Sequence, residues 1–201
     1  EAIASRDLDK ARKIATRFGI ATAYGSYEEL LADPTIDAIY NPLPNHLHVP
    51  MTIKALEHGK PVLCEKPVAI DAAEAMTLAA AQEVSSLPVA EAFMVRHHPQ
   101  WKMARDLIAS GRLGTARVIH TIFSYHLDDP SNVRNQADIG GGGLLDVGCY
   151  AVNTARFLFD ADPLGAIALV DRDPVFGTDR LACGVLAFPD GRQLVFTCST
   201  Q

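Results

Sequence analysis

Residues 36–67 read IDAIYNPLPNHLHVPMTIKALEHGKPVLCEKP, and the succession of textures within them decides the fold. An apolar run from Ile36 to Tyr40 gives way to a proline-broken polar loop, Asn41 to Asn45. A helix-spaced segment follows from about His48 to His58, Gly59 closes it, and a second apolar run spans Pro61 to Cys64. Strand, helix and strand at this spacing predict a right-handed βαβ unit with parallel pairing, its strands buried on both faces.

The same alternation continues in both directions. Upstream, Glu1 to Ser5 reads as the end of a strand. Leu8, Ala11, Ile14, Ala15 and Phe18 then share one helical face that stops at Gly19, and Ser26 with Glu29 forms a capping box for a short helix ending near Asp33-Pro34. Downstream, Asp71 and Glu74 cap a helix reaching about Glu83, and Pro88 to Phe93 is another strand. The first half is therefore expected to be α/β, a doubly wound parallel sheet over residues 1–95. Ligands of such sheets bind beyond the carboxyl ends of the strands. An apolar segment opens the chain with no Met, so the N-terminus reads as cut, and an absent signal peptide cannot be told from a deleted one.

After about residue 95 the texture changes. A helix from Gln100 to Ser110 precedes an alternating stretch, Arg117 to Tyr125, that reads as a half-buried antiparallel strand. A glycine-rich loop, Leu127 to Gly143, leads to a helix over Leu144 to Leu158. Strands near Leu181 to Phe188 and Gln193 to Ser199 are joined by a turn at Pro189 to Arg192. This predicts a second, α+β domain over residues 96–201.

Composition narrows the function. With 48% hydrophobic and 21% charged residues the chain is expected to fold, which excludes intrinsic disorder. Its 24 acids outweigh 18 bases to give a net charge of −6, which argues against nucleic acid or an anionic membrane as partner. No apolar run reaches membrane-spanning length. Cys64, Cys149, Cys183 and Cys198 lie too far apart for zinc-type spacing and read as buried thiols of a reducing, cytoplasmic compartment. No metal site is expected, and the neighbours His97 and His98 do not alter that.

Three groups of residues could carry chemistry. Glu65-Lys66-Pro67 follows a buried strand at the ligand-binding edge. There Lys66 is either a solvated strand end or a cation aimed into a cleft, able to hold a ribose hydroxyl or favour a neighbouring acid's ionised form. Asp146 and Tyr150 stand four apart, with Asn153 further along the same helix face. They are either a cap and a packed ring, or an acid and a phenol working together. Asn45 and His48 begin a helix at a strand tip, as caps or as ligand contacts. The G-x-G-x-x-G dinucleotide fingerprint is absent, and the run Gly140 to Gly143 does not match it.

The ordered set Ala4-Ser-Arg6, Tyr24-Gly-Ser-Tyr27, Pro42-Leu-Pro-Asn-His-Leu-His48, Cys64-Glu-Lys-Pro67, Glu91-Ala-Phe-Met-Val-Arg96 and Gly141-Gly-Gly-Leu-Leu-Asp-Val-Gly-Cys-Tyr150 closely resembles the Gfo/Idh/MocA family of oxidoreductases over essentially the whole chain. That resemblance implies a Rossmann-type domain, here lacking its first strand, glycine-rich turn and first helix. It also implies an α+β domain with a mainly antiparallel open sheet, lacking its last strands. A gap is then expected in the middle of the parallel sheet.

By the same likeness Lys66, Asp146 and Tyr150 are the catalytic group, and Arg96, Asp146 and Asn153 bind substrate. Ser5, Arg6, Pro42, Leu43, Asn45, His48, Glu65 and Lys66 bind cofactor. Tyr at position 150 resembles the branch of glucose-fructose oxidoreductase, D-xylose dehydrogenase and dihydrodiol dehydrogenase. The implied reaction is hydride transfer between a nicotinamide and a sugar, cyclitol or cyclic diol carbon. Ser5-Arg6 stands where an acidic residue would bind the adenosine ribose, which suits a 2′-phosphate and favours NADP over NAD. The open sheet implies a homo-oligomer, a dimer or tetramer. A non-catalytic dinucleotide- or sugar-binding regulator, or an inactive fragment, remains as the alternative.

Overall fold

The computed structural model describes residues 1–201. It divides into two compact units, residues 1–43 with 47–91, and residues 44–46 with 92–201.

The first unit alternates strand and helix throughout: β1 (Ala2–Ala4), α1 (Leu8–Phe18), β2 (Thr22–Tyr24), α2 (Tyr27–Ala32), β3 (Ile39–Asn41), α3 (His48–Glu57), β4 (Val62–Cys64), α4 (Ala72–Ser85) and β5 (Val89–Glu91). The caps predicted from sequence form. Ser26 Oγ accepts from the Glu29 N–H at 3.1 Å, and Asp71 Oδ1 from the Glu74 N–H at 2.8 Å. Gly19 ends α1 at φ +67°, in the left-handed region that glycine enters without penalty. β3 begins three residues later than the apolar pattern suggests. Its first stretch is a turn, because the Ile36 N–H binds the Asp33 carbonyl and the Ile36 carbonyl accepts from Lys60 Nζ at 2.6 Å.

All pairing in this unit is parallel, but it falls into two sheets, β1–β2 and β3–β4–β5. β1 and β3 each keep one unpaired edge. A mostly apolar cleft of about 670 Å³ is lined from both sheets, by Ile3 and Ala4 on one side and Ile39 and Asn41 on the other. This is the gap expected in the parallel sheet. Around it, Leu31, Ala55, Val62 and Cys64 form one small core, and Val49, Leu56, Ala69 and Leu78 another between α3 and α4.

The second unit comprises α5 (Pro99–Ala109), β6 (Val118–Ser124), a π-helical turn (Leu144–Gly148) running into α6 (Cys149–Phe159), β7 (Gly165–Arg172), β8 (Asp179–Ala187) and β9 (Gln193–Ser199). The sheet order is β6–β9–β8–β7. Two pairings are antiparallel, but β6 runs parallel to β9, which corrects the antiparallel reading of Arg117 to Tyr125. Alternation along a strand reports which face is buried, and it carries no signal about the direction of the partner. β7 was not foreseen. As an edge strand exposed along its whole length, its run Ala166-Ile-Ala-Leu-Val170 shows no clean alternation.

One face of this sheet packs on α6, with Ala151, Ala155 and Phe159 against Leu186, Leu194, Phe196 and Cys198. At Gly184 the ring of Phe196 on the neighbouring strand lies 2.5 Å from where a Cβ would stand, so only glycine admits it. The opposite face is open and carries Ile122, Ile167 and Leu169, each more than three-quarters exposed. Of the cysteines, Cys64 and Cys198 are buried, whereas Cys149 is half-buried and Cys183 exposed on that open face; none forms a disulfide. No helix is long and apolar enough to cross a membrane.

Candidate active-site residues in the two units

In the first unit the sequence-predicted residues gather at the carboxyl ends of the strands. The Glu65 N–H donates to the Asn41 carbonyl at 2.9 Å, extending the β3–β4 ladder by one rung, and Lys66 follows directly, half-buried. The segment after it is tied from both sides. Pro67 O meets His48 Nδ1 at 2.7 Å, and the Val68 N–H donates to Glu91 Oε1 at 2.8 Å. His48 is 1% exposed and its other ring nitrogen faces Leu43 O at 2.6 Å. The structure thus makes His48 a strut between the Asn41–Leu43 tip and the lysine-bearing loop. Its ring is enclosed by protein.

Sequence reasoning missed two supports here. Tyr40 Oη donates to Glu65 Oε1 at 2.6 Å, and that bond, with some burial, pushes the phenol up to about 12. Glu91, at the end of β5, holds Val68. Glu91 opens a motif quoted above, but neither bond bears a local sequence signal, because both act through strands adjacent only in the folded sheet.

Ser5 and Arg6 follow β1. The Ser5 N–H donates to Tyr24 O at 3.2 Å, and Ser5 Oγ accepts from the Asp7 N–H at 3.2 Å. Arg6 is exposed and engaged in no ion pair, so a guanidinium is presented at a strand tip where a phosphate would suit it. Pro42 and Leu43 line the cleft beside β3. Residues of these types could hold a dinucleotide's adenosine end. Its pyrophosphate finds no ready cradle at α1, whose first N–H groups are already taken by the Asp7 carboxylate.

In the second unit Asp146 is buried on the π-helical turn and Tyr150 lies in the first turn of α6. A π-helical turn within a helix is uncommon and often marks a functional site. The run Gly140 to Gly143 prepares it by close approach. A Cβ at Gly141 would lie 2.6 Å from the carbonyl oxygens of both Arg134 and Gln136, and one at Gly142 would collide with the Asp179 carboxylate. Asp179 Oδ2 in turn accepts from the Leu144 N–H at 2.6 Å.

The Tyr150 ring is set edge-on to Phe93, centroids 5.3 Å apart, and tilted against Phe123 at 5.9 Å. Asp146 accepts a short hydrogen bond from Tyr125 Oη on Oδ2, and Oδ1 pairs with Arg134 Nε at 3.0 Å. Tyr125 and Arg134 were not foreseen. Asn153, buried further along α6, accepts from Arg96 Nε at 3.0 Å, and the guanidinium of Arg96 stacks over Phe157. The structure therefore brings Arg96 and Asn153 together. Asn45 instead donates to the Gly140 carbonyl at 2.8 Å, so its amide is occupied by protein.

A parallel, helix-covered first unit with a polar crest at its strand tips, and a second unit carrying an acid and a phenol four residues apart, are the arrangement that the sequence resemblance implies. Residues 1–93 match the family model described as an oxidoreductase family with an NAD-binding Rossmann fold, and residues 101–201 match the GFO/IDH/MocA C-terminal domain. The chain belongs to the Gfo/Idh/MocA oxidoreductase family.

Its similarities to individual proteins agree. It is 52% identical over 200 residues to an uncharacterized oxidoreductase, ORF334, of Rhizobium meliloti, covering 100% of this chain and 60% of that protein. It is 43% identical to D-xylose 1-dehydrogenase (NADP(+)) 2 of Haloferax volcanii, over 94% of this chain and 58% of that one. The crystal structure of KijD10, a 3-ketoreductase from Actinomadura kijaniata in complex with NADP and TDP-benzene, superposes with a TM-score of 0.89 at 32% identity. That match covers 99% of this chain and 61% of the other. The chain thus spans about 60% of the relatives it matches.

Proposed function

We propose that the protein carrying residues 1–201 is an NADP-dependent oxidoreductase acting on a carbinol carbon of a sugar, cyclitol or cyclic diol. Support comes from the family, from the NADP named for two relatives, and from Arg6 exposed and without an ion pair at the end of β1. The observation that carries the reading is Asp146 and Tyr150 set four residues apart across the π-helical turn, the carboxylate buried and the phenol ring fixed between two phenylalanines.

In this reading Tyr150 Oη takes the substrate hydroxyl proton, and Lys66 is the catalytic cation, a charge of the kind that favours an acid's ionised form. Asp146, with Arg96 and Asn153, binds and orients the substrate. Arg6 and Ser5 hold the adenosine 2′-phosphate, and Pro42, Leu43, Asn45, His48 and Glu65 shape or brace the cofactor side. When bound, the nicotinamide supplies the hydride acceptor. Nicotinamide absorbance over a panel of aldoses and cyclic diols tests it. NADP-dependent turnover that Lys66→Ala abolishes is expected, and no turnover above that variant on any substrate overturns it.

The open apolar sheet face carrying Ile122, Ile167 and Leu169 supports self-association with a second copy of the chain.

A further inference from the structure

Asp146 is a carboxylate whose side chain keeps only 11% of its exposure, in a place where an unpaired charge would be costly. Two donors from different elements meet it. Tyr125 follows β6, and its backbone is anchored by the Tyr125 N–H donating to Ser199 O at 3.1 Å while its ring packs on the sheet core. Arg134 sits on a short turn of the loop before the glycine run. That turn is fastened by Arg134 O accepting from the Gly142 N–H at 2.9 Å, and by Asn135 Nδ2 donating to Asp129 O at 2.9 Å.

The phenol donates to one carboxylate oxygen and the guanidinium to the other. An acid that accepts from both sides is held ionised and cannot rotate about its last bond without breaking one of them. Burial first, and then the hydrogen bond to Asp146, raises the Tyr125 phenol, so it stays a donor. The other titratable groups packed on this turn are Cys149, whose Sγ donates to the Asp146 carbonyl at 3.6 Å, Tyr150 in the next turn, Asp179 of β8, bound to the Leu144 N–H, and Cys198 of β9 beside Gly148.

We infer that Tyr125 and Arg134 are positioning residues: they clamp the Asp146 carboxylate, ionised and in one orientation, one helical turn before Tyr150. The inference deepens the hydride-transfer reading and rests on it for the role of Asp146. Because Arg134 belongs to the Leu127–Gly143 loop, the clamp also ties the order of that loop to the setting of the acid.

The test titrates the Asp146 carboxyl by carbon-detected NMR and measures the pH profile of kcat/KM, in the wild type, Tyr125→Phe, Arg134→Gln and Arg134→Lys. Tyr125→Phe keeps the packed ring; should it not fold, the two Arg134 variants on the half-exposed loop carry the test. Loss of either donor is expected to move the Asp146 titration up by roughly one pH unit and to carry the acid limb of kcat/KM with it. A fall in kcat/KM of roughly 10- to 100-fold should accompany the shift. Arg134→Lys, which keeps the charge and loses the planar fork, should fall in between.

An Asp146 titration indifferent to both losses overturns the clamp. An acid limb that stays fixed while Asp146 moves overturns the positioning role. Failure of the underlying reading looks different, as a wild type without turnover, and the titration arm judges the clamp even then.

Discussion

At the scale of single residues, the carboxylates of this chain work chiefly as acceptors that fasten backbone and phenols. Asp33 shows the type: it accepts from Tyr24 Oη, from the Thr35 N–H at 2.8 Å and from Thr35 Oγ1 at 2.8 Å. These bonds, the one from Tyr24 first, hold its carboxyl down at about 2. The folded value lies below the unfolded one. Its stabilisation is therefore complete above about pH 4 and is lost as pH falls toward about 2. Asp33→Asn should remove that part of the acid dependence, so that wild type and variant urea midpoints converge as the pH is lowered between 5 and 2; parallel curves would contradict it. Of the candidate site, Lys66, Asp146 and Tyr150 were singled out by the sequence because each lies in a motif of contiguous residues. Tyr125, Arg134, Tyr40 and Glu91 were not, since their partners are 21, 12, 25 and 23 residues away.

At the scale of elements, helix ends were the most readable part of the fold. The caps that the sequence marks, Ser26 and Asp71, bond within three residues, and Asp7, which the sequence reading did not name, caps α1 in the same way. Strand bounds were less readable. The start of β3 is set by Lys60, a buried lysine whose Nζ donates to the Asp33 and Ile36 carbonyls at 2.8 and 2.6 Å across a long sequence gap. Lys60→Met should leave the Ile36 carbonyl without a donor and the Asp33 carbonyl with only the Ile36 N–H, and cost about 1–3 kcal/mol, read from the urea midpoint. A variant as stable as the wild type would show that water replaces the ammonium at no cost. The direction of β6 was likewise beyond local pattern, because it follows from where the β8–β9 hairpin returns.

At the scale of the whole molecule, the open face of the second unit's sheet remains apolar in a chain with a net charge of −6. Replacing Ile167 and Leu169 with glutamate should shift sedimentation to a single monomeric species while leaving the thermal melt in place, because neither side chain is buried in the fold. A wild type that sediments as a monomer at every concentration contradicts self-association through that face. The central claim, that the phenol of Tyr150 moves the substrate proton, is reached most directly by NADP-linked steady-state oxidation with Tyr150→Phe. The Phe ring preserves the contacts with Phe93 and Phe123, so the melt should hold while kcat falls by about 10²- to 10⁴-fold. A Tyr150→Phe protein that turns over its substrate at the wild-type rate would contradict it.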